Sequence, residues 1–167
     1  MSPCAECGFT YLELPRRELA DRVNGYGPLY ASRLVSATGD LRTRPTPVEW
    51  SPLEYACHVR DVALMQRDRL YVALVEDGPS FKPMYRDQRV EFDRYDRQEP
   101  ETVANQLAMA TSMLANAFDP LTNEQWTRPL IYGYPEAARR DVEWMAHHTL
   151  HELVHHLSDI DRILSRT

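Results

Sequence analysis

The sequence has no apolar run that approaches the roughly 20 residues needed to span a bilayer, and its first residues lack the charged-then-apolar pattern of a signal peptide. We therefore expect a cytoplasmic protein with no membrane partner. Basic residues are also outnumbered, since 19 Lys and Arg face 25 Asp and Glu and the formal net charge is −6. A surface that binds nucleic acid needs a surplus of basic residues, so no nucleic-acid partner is expected.

Cysteine is scarce as well, and three cysteines suit a reducing compartment. Cys4 and Cys7 form a C-x-x-C pair near the start of the chain. The pair supplies only two of the four ligands of a structural zinc site, and no second C-x-x-C or C-x-x-H follows. Three interpretations stay open for it: two thiols in a loosely packed turn, a redox pair, or half of a zinc knuckle. Cys57 is expected to pack as a small apolar residue.

Strand patterns are few, and helix patterns dominate the 167 residues. Ser51, Pro52 and Glu54 form a capping box with proline in the first turn, which predicts a helix to about Glu76. Three other long helices are predicted from start signals and apolar stripes. They open at Pro15, Pro100 and Asp141, and the last runs to about Leu164.

The connections between these helices read as irregular. In the first helix, the run Gly25-Tyr26-Gly27-Pro28 can kink or break the chain. The segment Ser80–Glu99 is too polar and too irregular to predict an element, and Pro129–Arg140 is predicted to be mostly loop. β-structure stays an alternative in both segments. The fold class that follows is all-α: an antiparallel four-helix bundle forming a single domain over residues 1–167. A chain of this length buries roughly 70% of its unfolded surface without disulfides.

The six histidines occupy only two places, His58 and a cluster of five within residues 147–156. His58 lies within the apolar stripe of the second helix, and His156 lies inside one edge of the apolar arc of the last. Glu152 sits one turn before His156, on the same side of that helix. If the two helices pack together, two imidazoles and one carboxylate meet, which is a metal site with open positions. The competing interpretation is a hydrogen-bonded core histidine beside a solvated, pH-sensitive helix face.

The segments WSPLEYACHVRDV, EDGPSFKPM and HELVHHLSDI, with CAECGFTY at the start of the chain, resemble the DinB/YfiT-like superfamily. More narrowly, they resemble its actinobacterial branch related to mycothiol-dependent maleylpyruvate isomerase. The wider family usually has His-x-x-x-His late in the chain, whereas these isomerases have Glu-x-x-x-His followed by Asp and an apolar residue. Glu152, His156, Asp159 and Ile160 are similar to that second pattern. An alternative register pairs His151 with His155. We favour His58, Glu152 and His156 as the metal ligands.

The resemblance implies a divalent metal, with zinc preferred and nickel possible for this donor set. It also implies a thiol cosubstrate such as mycothiol, which attacks a small electrophile. A homodimer is a further expectation. Asp159 is expected either to orient a ligand or to pair with Arg162, and the sequence favours the pairing with Arg162.

Two other functions compete with a thiol-dependent transferase or isomerase. One is a non-enzymatic, stress-related bundle with a vestigial or structural metal site. The other is a metal-dependent hydrolase, in which water takes the place of the thiol. Comparing rates with and without added thiol separates the hydrolase from the transferase.

Overall fold

The structure is a computed structural model that describes residues 3–36, 38–134 and 136–166. Helices and strands are numbered here in chain order. Four long helices form the body of the protein: α1 (Arg16–Ser36), α2 (Pro52–Val75), α4 (Pro100–Phe118) and α6 (Val142–Leu164). Smaller elements connect them: β1 (Ser80–Phe81), α3 (Arg86–Phe92), α5 (Asn123–Trp126), β2 (Pro129–Tyr132) and β3 (Ala138–Asp141).

The four long helices pack as a bundle around one apolar core. Both α1 and α2 pack extensively against α4 and α6, whereas α1 and α2 touch each other little. The order around the bundle is therefore α1, α4, α2, α6. The predicted four-helix bundle is confirmed, while its antiparallel orientation stays a prediction. This arrangement puts α2 and α6, which carry the predicted ligands, side by side.

Local capping explains why two of these helices begin where they do. At α2, the hydroxyl of Ser51 accepts from the Glu54 N–H at 3.2 Å, and the Glu54 carboxylate accepts from the Ser51 N–H at 2.8 Å. At α6, Asp141 accepts from the Trp144 N–H at 2.8 Å. These bonds satisfy N–H groups that have no partner within the helix. Both helix starts were predicted from the sequence.

The predicted break in the first helix is wrong, because α1 runs without interruption past Gly25 and Pro28. Gly27 instead serves the packing of α1 on α4. A Cβ atom at this position would lie 2.7 Å from the Thr111 hydroxyl oxygen and 2.9 Å from the Ala108 Cα. Only glycine allows the two helix backbones to approach this closely.

The all-α fold class is not confirmed, because three short strands form a sheet in the order β1, β2, β3. β2 pairs in parallel with β1 and antiparallel with β3, in a region predicted to be loop. The segment Ser80–Glu99, also predicted to be irregular, contains β1, α3 and a 3-10 turn at Tyr95–Arg97. Within the described residues, no helix is long and apolar enough to cross a membrane.

Candidate metal centre

The three residues predicted as ligands meet where α2 packs on α6. Nε2 of His58 lies 3.4 Å from Oε2 of Glu152, and Nε2 of His156 lies 3.5 Å from the same oxygen. The two imidazole rings are 5.1 Å apart, centroid to centroid. His58 and His156 are buried, and the Glu152 side chain is 20% exposed. One potential ligand atom from each residue thus lies within 4.8 Å of the other two.

This donor set fits a divalent cation. Two atoms that bind one zinc ion at 2.0–2.1 Å with tetrahedral angles lie about 3.3 Å apart, close to the two distances to Glu152 Oε2. Two imidazole nitrogens and one carboxylate oxygen suit zinc, nickel or ferrous iron, and three protein ligands leave a position open. That these residues bind a metal stays a prediction.

Asp159 holds one of these ligands in place. Its Oδ2 accepts a hydrogen bond from Nδ1 of His156 at 2.9 Å, and its Oδ1 accepts from Arg162 at 2.7 Å. A proton on Nδ1 leaves Nε2 of His156 free to bind a cation, an arrangement common around metal-bound histidines. The two roles considered for Asp159 therefore coexist, because it contacts both the histidine and Arg162.

The charges of the cluster depend on these contacts. Burial alone would raise the pKa of Glu152, but hydrogen bonds from His156 and His58 hold the pKa well below its ordinary value. Burial likewise opposes protonation of His156, yet Asp159 and Glu152 raise its pKa to about 9. Burial lowers the pKa of His58. Without metal, the site at neutral pH therefore holds one imidazolium between two carboxylates, beside a neutral imidazole.

A cavity of about 250 Å³ opens onto this cluster. His58 and Glu152 line it directly, together with apolar side chains that include Val62 and Met65. Arg69 and Arg86 add two guanidinium groups to its lining. Arg69 is held by the Tyr132 hydroxyl at 3.1 Å, and Arg86 lies over the Trp50 ring at 5.7 Å. The open side of the cluster therefore faces a small, partly apolar space with positive charge nearby.

His148 also lines the cavity and was not predicted to belong to the site. Its Nε2 lies 3.9 Å from Oε1 of Glu152. Its Nδ1 lies 2.8 Å from the hydroxyl of Tyr11, which is also 3.0 Å from Nδ1 of His151. Burial lowers the pKa of His148, so this imidazole is neutral at pH 7. One pattern in the sequence indicates its place: His148 precedes Glu152 by one helical turn.

The alternative register, His151 with His155, lies on a different side of α6. These two histidines meet Cys4 and Cys7 of the N-terminal segment, and one atom from each of the four residues lies within 4.8 Å of the other three. The interpretation of the histidine cluster as a solvated face is wrong, because His147, His148 and His156 are buried.

Comparison with known proteins agrees with this architecture. The family model described as DinB superfamily matches residues 28–160. Among solved structures, the chain is similar to YfiT from Bacillus subtilis, with 17% identity and a TM-score of 0.81 over 99% of this chain and 92% of that chain. That protein is described as "a probable metal-dependent hydrolase with an unusual four-helix bundle topology". No curated protein matches the chain.

Proposed function

Because this chain belongs to the DinB superfamily, we propose that it is a divalent-metal-dependent enzyme whose cation is held by His58, Glu152 and His156. The observation that carries the proposal is the convergence of two Nε2 atoms on one carboxylate oxygen at the wall of a cavity. When bound, a divalent cation lowers the pKa of a nucleophile that coordinates it and so supplies that nucleophile deprotonated near neutral pH. Zinc is our first choice, and nickel is the second.

The residues around the ligands support a role in binding a small substrate. Arg69 and Arg86 suit a carboxylate or another anionic group, because a guanidinium can donate paired hydrogen bonds to it. Val62 and Met65 provide apolar contact. His148, neutral and within reach of the same space, can exchange a proton with the nucleophile or the leaving group. Asp159 keeps His156 oriented throughout.

Transfer of a low-molecular-weight thiol to a small electrophile, or a thiol-dependent isomerisation, is the reaction we propose first. The Glu-x-x-x-His pair followed by Asp159 and Ile160 supports it, because the mycothiol-dependent isomerases that the sequence resembles share this order. Arg69 and Arg86 would then bind a carboxylate of the thiol or of its partner.

Hydrolysis is the second candidate. The similarity in fold to YfiT, described as a metal-dependent hydrolase, favours it, and so does the position of His148 close to Glu152. Water would then replace the thiol as nucleophile, and no cosubstrate would be needed. The third interpretation, a bundle without catalytic activity, predicts metal binding with no turnover in either assay.

Metal content tests the site directly. Elemental analysis of purified wild type, His58→Ala and Glu152→Gln should show one equivalent of divalent metal fewer in each variant. Glu143→Gln is the matched control, because Glu143 lies on the same helix but pairs with Arg16 at 2.5 Å. Equal metal content in all four proteins would contradict the site.

Activity separates the two reactions. Metal-loaded protein would be assayed with a chromogenic halonitroarene plus mycothiol or bacillithiol, and separately with chromogenic esters and amides without thiol. Turnover that requires the thiol and falls to background in His58→Ala supports the transferase. Turnover of esters or amides without thiol supports the hydrolase and overturns the first proposal.

A further inference from the structure

We propose that Cys4, Cys7, His151 and His155 form a second, structural zinc site that fastens the N-terminal segment to α6. Cysteine and histidine are the ligands of closed structural zinc sites, and C-x₂-C with H-x₃-H are spacings that such sites use. Here the two pairs are at opposite ends of the sequence, and folding brings them together. All four ligand atoms lie within 4.8 Å of one another.

One distance between two proposed ligand atoms is already close to the value expected around zinc. Sγ of Cys4 lies 3.6 Å from Nδ1 of His155. A sulfur at 2.3 Å and a nitrogen at about 2.0 Å from one zinc ion, with tetrahedral angles, lie about 3.5 Å apart. The other nitrogen of His155, Nε2, is 3.1 Å from the Glu6 carboxylate and 3.7 Å from Asp159. A carboxylate on the far nitrogen directs Nδ1 toward the cation.

His151 has a free nitrogen for the same cation. Its Nδ1 contacts the Tyr11 hydroxyl at 3.0 Å, while its Nε2 is buried without a hydrogen-bond partner among the residues the structure describes. A buried nitrogen without a partner is destabilising, and a bound zinc ion would give it one. Phe9 stacks on the His151 ring with centroids 5.3 Å apart and fixes its orientation.

The turn that carries the cysteines is shaped to present both thiols. The Gly8 N–H donates to the Cys4 carbonyl at 2.8 Å, and the Cys4 N–H donates to the Phe9 carbonyl at 2.9 Å. Gly8 adopts a φ of 72°, which glycine accommodates without strain. These bonds turn the segment back on itself, so that one sulfur from each cysteine lies within 4.8 Å of the ligand atoms of His151 and His155.

Histidines of α6 also form two other groups that could hold a metal, His148 with His151 and Glu152, and His155 with His156 and Asp159. Nitrogens in both of these groups already have hydrogen-bond partners. The Tyr11 hydroxyl lies between Nδ1 of His148 and Nδ1 of His151 and so occupies both atoms. Asp159 accepts from His156 and lies near His155, so one carboxylate orients a ligand of each site. The two sites are thus adjacent on α6 but separate in their ligands.

Zinc at Nε2 of His151 also determines where protons lie beside the cavity. His151 would then carry its proton on Nδ1 and donate it to the Tyr11 oxygen. Because Tyr11 has a single proton, it would donate that proton to Nδ1 of His148. Neutral His148 would consequently hold its own proton on Nε2, toward Glu152, as a donor for the proposed reaction.

The test uses the full chain with the first site removed, so that its outcome does not depend on the proposed function. His58→Ala protein, purified and refolded with zinc, should hold one zinc per chain. The triple variant His58→Ala/Cys4→Ser/Cys7→Ser should hold none, and His58→Ala/Cys57→Ala should keep its zinc as the matched cysteine control. Circular dichroism checks that all three have the same helical content.

Cobalt gives a second readout. Cobalt-loaded His58→Ala protein should show a sulfur-to-cobalt charge-transfer absorption in the near ultraviolet, and the triple variant should lack it. Zinc-free His58→Ala protein of native helical content would overturn the proposal, and so would a Cys4–Cys7 disulfide found by mass spectrometry. Zinc retained by the triple variant would overturn it as well, because the thiols would then not be ligands.

Discussion

Replacing either of two glycines in α1 by alanine should change the free energy of unfolding, but in opposite directions. Gly25 and Gly27 are both inside the helix, and alanine is favoured over glycine there by about 1 kcal/mol. At Gly25 an added Cβ meets nothing within 4 Å, so Gly25→Ala should raise the free energy of unfolding by that amount. At Gly27 the Cβ would meet the Ala108 Cα at 2.9 Å, and backbone cannot rotate away as a side chain can.

The size of the difference follows from these contacts. Overpacking of this kind costs about 1–3 kcal/mol, and a clash with backbone belongs in the upper half of that range. After the helix-propensity gain is subtracted, Gly27→Ala should lower the free energy of unfolding by about 1–2 kcal/mol. The two variants should therefore differ by about 2–3 kcal/mol.

Urea denaturation followed by circular dichroism measures this difference. With an m-value of about 2 kcal/mol per molar urea, the two midpoints should lie about 1 M apart, on either side of the wild type. Equal stabilisation by both substitutions would refute the close approach of α1 and α4. Unchanged m-values would show that the substitutions change stability and not the surface exposed on unfolding.

Two further predictions concern the metal centre. Asp159→Asn should weaken zinc binding at the His58 site about 10–100-fold in a competition assay with a chromophoric chelator, because it removes the carboxylate that orients His156. Asp161→Asn, an equal change of charge at a residue that pairs with Arg33, should leave the affinity unchanged, and equal affinities in both variants would contradict the role of Asp159. In chelator-treated protein, nuclear magnetic resonance should give His156 a pKa of about 9. Because the folded protein raises this pKa above the ordinary value, protonated His156 stabilises the fold fully below about pH 6.5. That stabilisation is lost as the pH rises through about 9. An unfolding free energy that stays the same from pH 6 to 10 would contradict the raised pKa of His156.

The parts of the fold that the sequence predicts are those governed by local chemistry. The starts of α2 and α6 depend on the side chains of Ser51 and Asp141, each of which accepts a hydrogen bond from the N–H three residues later. A short window of sequence therefore contains all the information needed to predict them. The pairing of His58 with Glu152 depends on two apolar stripes that must face each other, and helical periodicity reveals both.

The missed elements depend on distant partners. β2 is four residues long, too short for alternation to show, and it is paired in parallel with β1 from a different part of the chain. The N-cap of α3, Tyr85, has a left-handed backbone with a φ of 54° and no side-chain cap, so no start signal exists. Cys4 meets His155 across 151 positions of sequence, and neither the C-x-x-C pair nor the H-x-x-x-H pair indicates by itself that the two come together.

The two proposed ligand pairs on α6 are offset by a single residue, and this offset has an evolutionary consequence. His151 and His155 follow one stripe of the helix, while Glu152 and His156 follow the next, about 100° away. One residue inserted before His151 and one removed after Asp159 would turn the first pair toward His58. The result would be a three-histidine set at the first site, gained at the expense of the proposed cysteine site. Ancestral or related sequences that differ by such a compensated shift are therefore the place to look for an exchange between the two patterns.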